Sequence, residues 1–208
     1  MSKTGIKHVG IRFEGETCQI SVWAPIAKIV ICRLCDNNLE IPLRPLKYGY
    51  WYAESTLITP GDRYKISVDG NDFPDPASLS QPEGVHGPSE AIDLRFNWTD
   101  QSYKPPKNSE FVIYEIHVGT FTSSRDFDGV IKKIPHLKDL GITAIEIMPV
   151  AQFPGGRNWG YDGVFPFAVQ HSYGGASEFQ RLVNAFHAVN IAVILDVVYN
   201  HIGPEGNY

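Results

Sequence analysis

The sequence predicts a multi-domain protein in which an all-β sandwich precedes the first βαβαβ part of an incomplete (β/α)8 TIM barrel. Short alternating or β-branched segments separated by turn residues fill the first half of the chain, whereas the second half alternates apolar strands with amphipathic helices. The pattern changes around the segment KPPK at 104–107. We therefore predict the sandwich at residues 1–98, a linker at 99–109 and the barrel part at 110–208.

The first half is predicted to contain six short strands. Turn residues such as Glu14-Gly15 and Asp69-Gly70 separate them, a pattern typical of a small β-sandwich. The predicted strands are His8–Phe13, Cys18–Trp23, Lys28–Leu34, Trp51–Ser55, Tyr64–Val68 and Glu90–Leu94. Three aromatic side chains on these strands could form a glycan-binding face, but aromatic residues on short strands more often belong to the core, which is our preferred interpretation. They are Trp23, Trp51 and Tyr52.

The second half is predicted to form three buried strands, at Phe111–Val118, Thr143–Val150 and Ile191–Val198. Between the first two strands, apolar residues spaced three and four apart mark one face of a helix that starts at the N-cap Asp126. Pro135 interrupts this helix, and because a proline in a helix interior costs about 3 kcal/mol, we expect a kink or a break there.

A second helix follows the second strand. It carries apolar residues from Phe179 to Phe186 and is expected to end near Asn190, which tolerates the left-handed conformation. The βαβαβ order indicates a parallel sheet covered by helices, which fits either an open doubly wound sheet or the start of a (β/α)8 barrel. No glycine-rich phosphate-binding motif follows the first strand, and polar residues crowd the carboxyl ends of all three, as in barrel active sites. The barrel is therefore favoured.

Composition excludes several functional classes. A net charge of −5 without a Lys/Arg cluster argues against nucleic acid, and the apolar runs are too short to span a membrane. The N-terminus lacks the apolar core of a signal peptide, so the simplest expectation is a cytoplasmic protein. The three cysteines do not indicate a disulfide framework. Cys32 and Cys35 form a CxxC within a β-branched run, where we expect ordinary cysteines rather than a metal site.

Several motifs, occurring in order along nearly the whole chain, resemble the α-amylase superfamily. Segment Asp196–His201 (DVVYNH) is similar to its first signature region, DxVxNH, whereas Ile113–Phe121, Leu137–Gly155 and Asn158–Val164 resemble the first barrel strand, the second strand and the loop after it. In the first half, the VWAP tetrapeptide at 22–25 is similar to the immunoglobulin-like (early-set) sandwich module that precedes the barrel in glycogen-branching, debranching and trehalose-releasing members. Segments 75–78 (DPAS) and 81–89 (QPEGVHGPS) resemble the malto-oligosyltrehalose trehalohydrolases most closely.

This resemblance implies a glycoside hydrolase acting on α-1,4-glucans, which releases trehalose from malto-oligosyltrehalose by a retaining mechanism. In the family the nucleophile, the acid/base and the third carboxylate follow strands four, five and seven, so we expect them beyond Tyr208 and assign no catalytic residue here. The 208-residue chain by itself is expected to be inactive. Two alternatives remain open: a glycogen branching or debranching enzyme, and a non-catalytic glucan-binding protein. No cofactor and no metal are implied.

The resemblance also suggests which residues bind substrate. Tyr161 corresponds to an aromatic side chain that stacks on the sugar ring, and a phenol ring can cover the apolar face of a pyranose. Asp196 and His201 match the first signature pair: the histidine would donate a hydrogen bond to a sugar hydroxyl, and the aspartate would orient neighbouring polar groups. Trp159 is interpreted either as a sugar platform or as a residue that packs within its loop, and His117 either as part of the floor of the site or as a core histidine. Asn200, a calcium ligand in many α-amylases, is interpreted as a structural hydrogen-bonding residue.

Overall fold

The computed structural model describes residues 8–207, so the first seven residues of the predicted sandwich and the final Tyr208 lie outside the described residues. Strands β1 to β9 are Gly10–Glu14, Thr17–Trp23, Val30–Leu34, Glu40–Pro42, Arg44–Pro45, Tyr50–Ser55, Arg63–Val68, Asn71–Phe73 and Ser89–Glu90. They form two antiparallel sheets, one in the order β1-β2-β6-β5 and the other in the order β4-β3-β7-β8, with β9 also paired to β7.

One hydrophobic core lies between the two sheets. Alternate residues of each strand point into it, including Ile20 from the first sheet and Ile66 from the second. Cys18 and Cys32 are fully buried in this core, whereas Cys35 is exposed, and all three are free thiols. Burial raises the pKa of the Cys18 thiol to about 12 and also raises that of Cys32, so neither is poised for metal or redox chemistry.

The aromatic residues of the sandwich divide between the core and the surface. Trp51 packs in the core at 8% exposure and donates its indole N–H to the carbonyl oxygen of Ala24 at 3.0 Å. Trp23 is 61% exposed because Cys18, Ile20 and Val22 of its strand point into the core, which directs Trp23 to the opposite face, so the core interpretation is wrong for this residue. The predicted strand Glu90–Leu94 is also wrong beyond Glu90, where the chain turns and Arg95 N–H bonds the Asp93 side chain.

The second half contains a parallel sheet covered by helices. Strands β10 to β14 are Ile113–Ile116, Ala144–Ile147, Ala151–Gln152, Phe165–Val169 and Ala192–Leu195, and helices α1 to α4 are Val118–Phe121, Phe127–Lys132, Ile134–Asp139 and Gly175–His187. Strands β10, β11 and β14 pair in parallel in that order, and the short hairpin β12–β13 stands apart from them. The predicted βαβαβ order is confirmed, although each parallel strand is shorter than its apolar run.

Pro135 breaks the first long helix, as the sequence predicts. Helix α2 begins after Asp126, whose side chain accepts a hydrogen bond from Gly129 N–H at 2.8 Å. The chain then restarts as α3 with Pro135 in its first turn, where the missing N–H costs nothing. None of the helices within residues 8–207 is long and apolar enough to cross a membrane.

The strand register decides which side chains face the helices. Ile145 and Ile147 are fully buried in the core that contains Leu182 of α4 and Val130 of α2, so they point towards the helices. The alternate residues point to the opposite face, where Glu115 and Glu146 are direct neighbours across β10 and β11. The carboxyl ends of the three strands thus lie side by side and lead into His117, Met148 and Asp196.

Part of the predicted linker packs against α4. The Thr99 N–H donates to the side-chain oxygen of Asn184 at 2.9 Å, and the ring nitrogen Nδ1 of His187 lies 2.7 Å from the Asp100 carboxylate. Tyr103 stacks on the His187 ring with centroids 3.9 Å apart. These contacts fix the segment 99–103 to the helix layer.

Candidate active site

Two clefts open at the carboxyl ends of the parallel strands, and the loop 158–163 separates them. The larger, which we call the Trp159 cleft, has a volume of about 1070 Å³ and is lined by His117 and Trp159 among others. The smaller, the Asp196 cleft, has a volume of about 160 Å³ and is lined by Asp196 and His201.

His117 ties the end of β10 to the loop. Its ring nitrogen Nε2 lies 2.7 Å from the backbone oxygen of Asn158, and Nδ1 lies 3.1 Å from the hydroxyl of Thr120. A carbonyl oxygen can only accept, so Nε2 carries the proton and Nδ1 accepts from Thr120 when the ring is neutral. The Tyr173 ring meets the His117 ring edge to face, with centroids 6.3 Å apart, and burial raises the pKa of the Tyr173 phenol.

Asn158 shapes the loop itself. Its side-chain oxygen accepts from Gly160 N–H at 2.7 Å, and its amide nitrogen donates to the Asp162 carboxylate at 2.9 Å. Gly160 has a φ of 97°, and a Cβ at this position would lie 2.2 Å from the carbonyl oxygen of Pro149. Only glycine fits this close approach between the loop and the end of the second parallel strand.

His201 holds the other end of the same loop. Its Nε2 lies 2.7 Å from the carbonyl oxygen of Tyr161, so this nitrogen donates to the loop, whereas Nδ1 lies 3.1 Å from the side-chain oxygen of Asn200. Tyr161 itself is 42% exposed. Farther along, Gly203 N–H bonds the carbonyl oxygen of Gly163 at 3.0 Å and anchors the segment after His201.

Asp196 continues directly from β14. Its backbone N–H donates to the carbonyl oxygen of Ile147 at 2.9 Å, which extends the parallel pairing by one residue and sets the direction of the side chain. The half-buried carboxylate lines the same cleft as His201. The structure thus brings Tyr161, Asp196 and His201 to one end of the parallel strands, whereas His117 and Trp159 line the neighbouring cleft.

Trp159 points away from the protein interior and is 73% exposed. Of the two interpretations that the sequence left open, loop packing is therefore unsupported, because the indole buries little of its surface. The three residues that contact His117, namely Thr120, Asn158 and Tyr173, were not identified from the sequence. The Asn-x-Gly spacing at 158–160 is a turn signal that could have identified Asn158, but the partners of His117 lie up to 56 residues away.

Within residues 8–207, no three His, Cys, Asp or Glu side chains are grouped closely enough to hold a metal ion. The Asn200 side-chain oxygen lies 3.1 Å from Nδ1 of His201, and its interpretation as a structural hydrogen-bonding residue stays a prediction.

Comparisons with known proteins agree with this architecture. The family described as alpha amylase, catalytic domain, matches residues 93–208. Malto-oligosyltrehalose trehalohydrolase from Saccharolobus solfataricus is 51% identical over 96% of this chain and 36% of its own length, and the enzyme of that name from Deinococcus radiodurans is 41% identical over 93% and 32%. The crystal structure of a putative alpha amylase from Salmonella typhimurium superposes with a TM-score of 0.91 at 37% identity, over 98% of this chain and 35% of that one. The chain spans about a third of the length of these curated relatives.

Proposed function

Because the chain belongs to the α-amylase family, we propose that the protein containing it is a glycoside hydrolase that acts on α-1,4-glucans and releases trehalose from malto-oligosyltrehalose. Relatives with 51% and 41% identity carry the name malto-oligosyltrehalose trehalohydrolase, which supports this activity over branching or debranching. The substrate class follows from the same names, because malto-oligosyltrehalose is itself an α-1,4-glucan chain ended by trehalose.

The observation that carries the proposal is that His201, which lines the same cleft as Asp196, bonds the backbone of Tyr161 at the carboxyl ends of the parallel strands. The exposed phenol ring of Tyr161 would offer a stacking surface for the apolar face of a sugar, and the half-buried carboxylate of Asp196 would offer an acceptor for its hydroxyls. The pyranose would stack on Tyr161, and Asp196 would orient the polar groups around it.

The contact with Tyr161 limits how His201 can donate a hydrogen bond to a sugar. Since its Nε2 proton is directed at the Tyr161 carbonyl, a sugar hydroxyl would compete for that proton or share it. Trp159 and His117 are proposed to contact substrate from the neighbouring cleft. The reaction proposed is a retaining double displacement through two carboxylates, with no cofactor, and none of the 208 residues is assigned as nucleophile or acid/base.

The finer architecture is also a proposal. We assign residues 1–98 to an immunoglobulin-like sandwich, 99–109 to a linker and 110–208 to the first part of a closed (β/α)8 barrel. Two sheets around one core support the first assignment, and three parallel strands with polar carboxyl ends support the last. A cytoplasmic location stays a prediction from the sequence.

Product analysis tests the proposed activity. The protein, expressed from its complete coding sequence, is incubated with malto-oligosyltrehalose, and the products are separated by anion-exchange chromatography. We expect free trehalose and the shortened malto-oligosaccharide in equal amounts. New α-1,6 linkages seen by NMR, or no product, would reject the proposal.

A further inference from the structure

The Trp159 cleft has a charge pattern that does not suit a neutral ligand alone. Although the protein carries a net charge of −5, none of the described residues that line this cleft is an aspartate or a glutamate. Two arginines, Arg125 and Arg157, line it together with hydroxyl groups. The lining is therefore rich in hydrogen-bond donors and positive in charge, which is the chemistry of an anion site.

The two arginines also differ from most others in the described chain. Four arginines lie within 4.0 Å of a carboxylate, namely Arg33, Arg63, Arg95 and Arg181. By contrast, neither Arg125 nor Arg157 forms an ion pair with any carboxylate of residues 8–207, and both are exposed. Their guanidinium groups are free to bind a ligand, and a guanidinium matches the oxygens of a phosphate group in pairs.

The backbone holds Arg125 in an unfavourable conformation. Its φ of 60° lies in the left-handed region, which costs a residue with a side chain on the order of 1 kcal/mol or more. The turn that imposes it closes through the hydrogen bond from Arg125 N–H to the Thr122 carbonyl oxygen at 3.3 Å. Strain of this kind is common where a side chain must be directed at a binding site.

Hydroxyl groups complete the lining. Ser172 Oγ accepts from the Gln170 side chain at 3.0 Å, which leaves its own proton available to a ligand. Ser124 instead donates to Asp126 at 2.7 Å, and that carboxylate is directed at the Gly129 N–H of helix α2 and does not line the cleft. The Asp126 carboxylate thus caps the start of helix α2.

Trp159 adds a flat surface to this cationic cleft. Trp159 is 73% exposed and lines the same cleft as both arginines. The apolar face of a pyranose packs on an indole, and a phosphomonoester on that sugar would reach the guanidinium groups. We propose that the Trp159 cleft binds a phosphorylated sugar, with the phosphate on Arg125 and Arg157 and the sugar ring on Trp159.

Calorimetric titration of the protein expressed from its complete coding sequence tests this proposal, with glucose 6-phosphate, inorganic phosphate and maltose as probes. We expect glucose 6-phosphate to bind more tightly than either of the others, and binding to weaken as salt is raised. Changing both arginines to glutamine (R125Q/R157Q) should lower its affinity at least tenfold. Trp159→Ala should weaken glucose 6-phosphate but leave inorganic phosphate unchanged.

The matched control is Arg12→Gln, because Arg12 is also exposed and unpaired within the described residues but lies in the sandwich. This variant should bind glucose 6-phosphate like the wild type. Binding of glucose 6-phosphate that is insensitive to both arginine changes, or no binding of glucose 6-phosphate, would each overturn the proposal. If the double variant fails to fold, the salt dependence of glucose 6-phosphate binding by the wild type still tests the proposal. Glucan hydrolysis is measured separately, so the proposed function can stand or fall independently.

Discussion

The ring nitrogen Nε2 of His201 lies 2.7 Å from the carbonyl oxygen of Tyr161, which joins the end of one parallel strand to the loop that follows its neighbour. At the other end of that loop, His117 makes the equivalent bond to Asn158. Two histidines, each in the segment after a different parallel strand, thus hold one loop through its backbone. Exposed Trp159 lies between these two points, and exposed Tyr161 is itself one of them.

Replacing His201 should displace Tyr161. We expect His201→Phe to lower kcat/KM for the glucan substrate by roughly a hundredfold, because misplacing a binding group by about 1 Å has an effect of that order. His201→Gln can still donate an N–H to the Tyr161 carbonyl and should retain much more activity than the phenylalanine variant. Steady-state kinetics on the protein from its complete coding sequence compare the two. Equal loss in both variants would contradict the positioning role.

Gly160 should tolerate no side chain. A Cβ would lie 2.2 Å from the Pro149 carbonyl oxygen, so Gly160→Ala must move the loop, and we expect a loss of activity together with about 1–3 kcal/mol of destabilisation. Gly155→Ala is the control, because Gly155 has a φ of 70° but a Cβ there would meet no atom of residues 8–207 within 4 Å. The Gly155→Ala variant therefore has the free-energy cost of a left-handed alanine but no collision of the added Cβ. If both variants keep wild-type activity, the loop does not depend on this contact.

The buried carboxylate of Asp75 should make the sandwich less stable as pH rises. Burial raises the pKa of Asp75, although hydrogen bonds from Ala77 N–H and the Tyr64 hydroxyl act in the opposite direction. Because the folded pKa lies above the unfolded value, the folded state binds more protons. Its stabilisation is complete below the unfolded pKa, about 3.9, and is lost as pH rises through the folded pKa. Asp75→Asn should remove this loss.

The urea midpoint of unfolding is measured between about pH 3.5 and 8, a range that brackets the unfolded pKa. Unfolding is followed by pulse labelling of Cys32, which is buried in the same core. The labelling pulse itself is always applied at one fixed pH. Asp72→Asn serves as the opposite control: burial favours a raised pKa there, but hydrogen bonds from Ser67 and Arg33 bring the pKa of Asp72 below its ordinary value. That variant should lose stability relative to the wild type as pH rises. An unchanged pH profile in Asp75→Asn would show that this carboxyl does not set the dependence.

The segment 99–103 should be coupled to helix α4 through Asp100 and His187. We expect a double-mutant cycle of Asp100→Asn and His187→Gln to give a coupling energy of about 0.5–3 kcal/mol, typical of residues in direct contact. Hydrogen exchange of the 99–103 amides should rise in either single variant and rise no further in the double variant. Additive effects would mean that the two side chains do not interact in solution.

Local chemistry accounts for the parts of the fold that the sequence predicts well. The helix break at Pro135 and the left-handed Asn190, with a φ of 60°, depend on single residues and their neighbours. The hairpin β12–β13 was not predicted, because the strand Ala151–Gln152 is too short for any periodicity. Trp23 was misplaced because residue type does not tell which face of a strand meets solvent.

The sequence names candidate residues of the site but not the contacts between them. The strand ends identify Asp196 and His201, since parallel strands bring their carboxyl ends to one edge of the sheet. The bond from His117 to Asn158 spans 41 residues, and the sequence contains no local pattern that pairs them. The division of the candidate residues between two clefts likewise depends on the loop geometry rather than on residue order.

The most direct test of the account is the effect of Tyr161→Ala on trehalose release from malto-oligosyltrehalose by the protein from its complete coding sequence. Loss of the stacking ring should lower kcat/KM by at least about tenfold, which corresponds to roughly 1.4 kcal/mol of lost transition-state stabilisation. Tyr48→Ala, which removes an exposed tyrosine of the sandwich, should leave kcat/KM unchanged. Wild-type kcat/KM in Tyr161→Ala would contradict the central claim that the glucan binds at this end of the parallel strands.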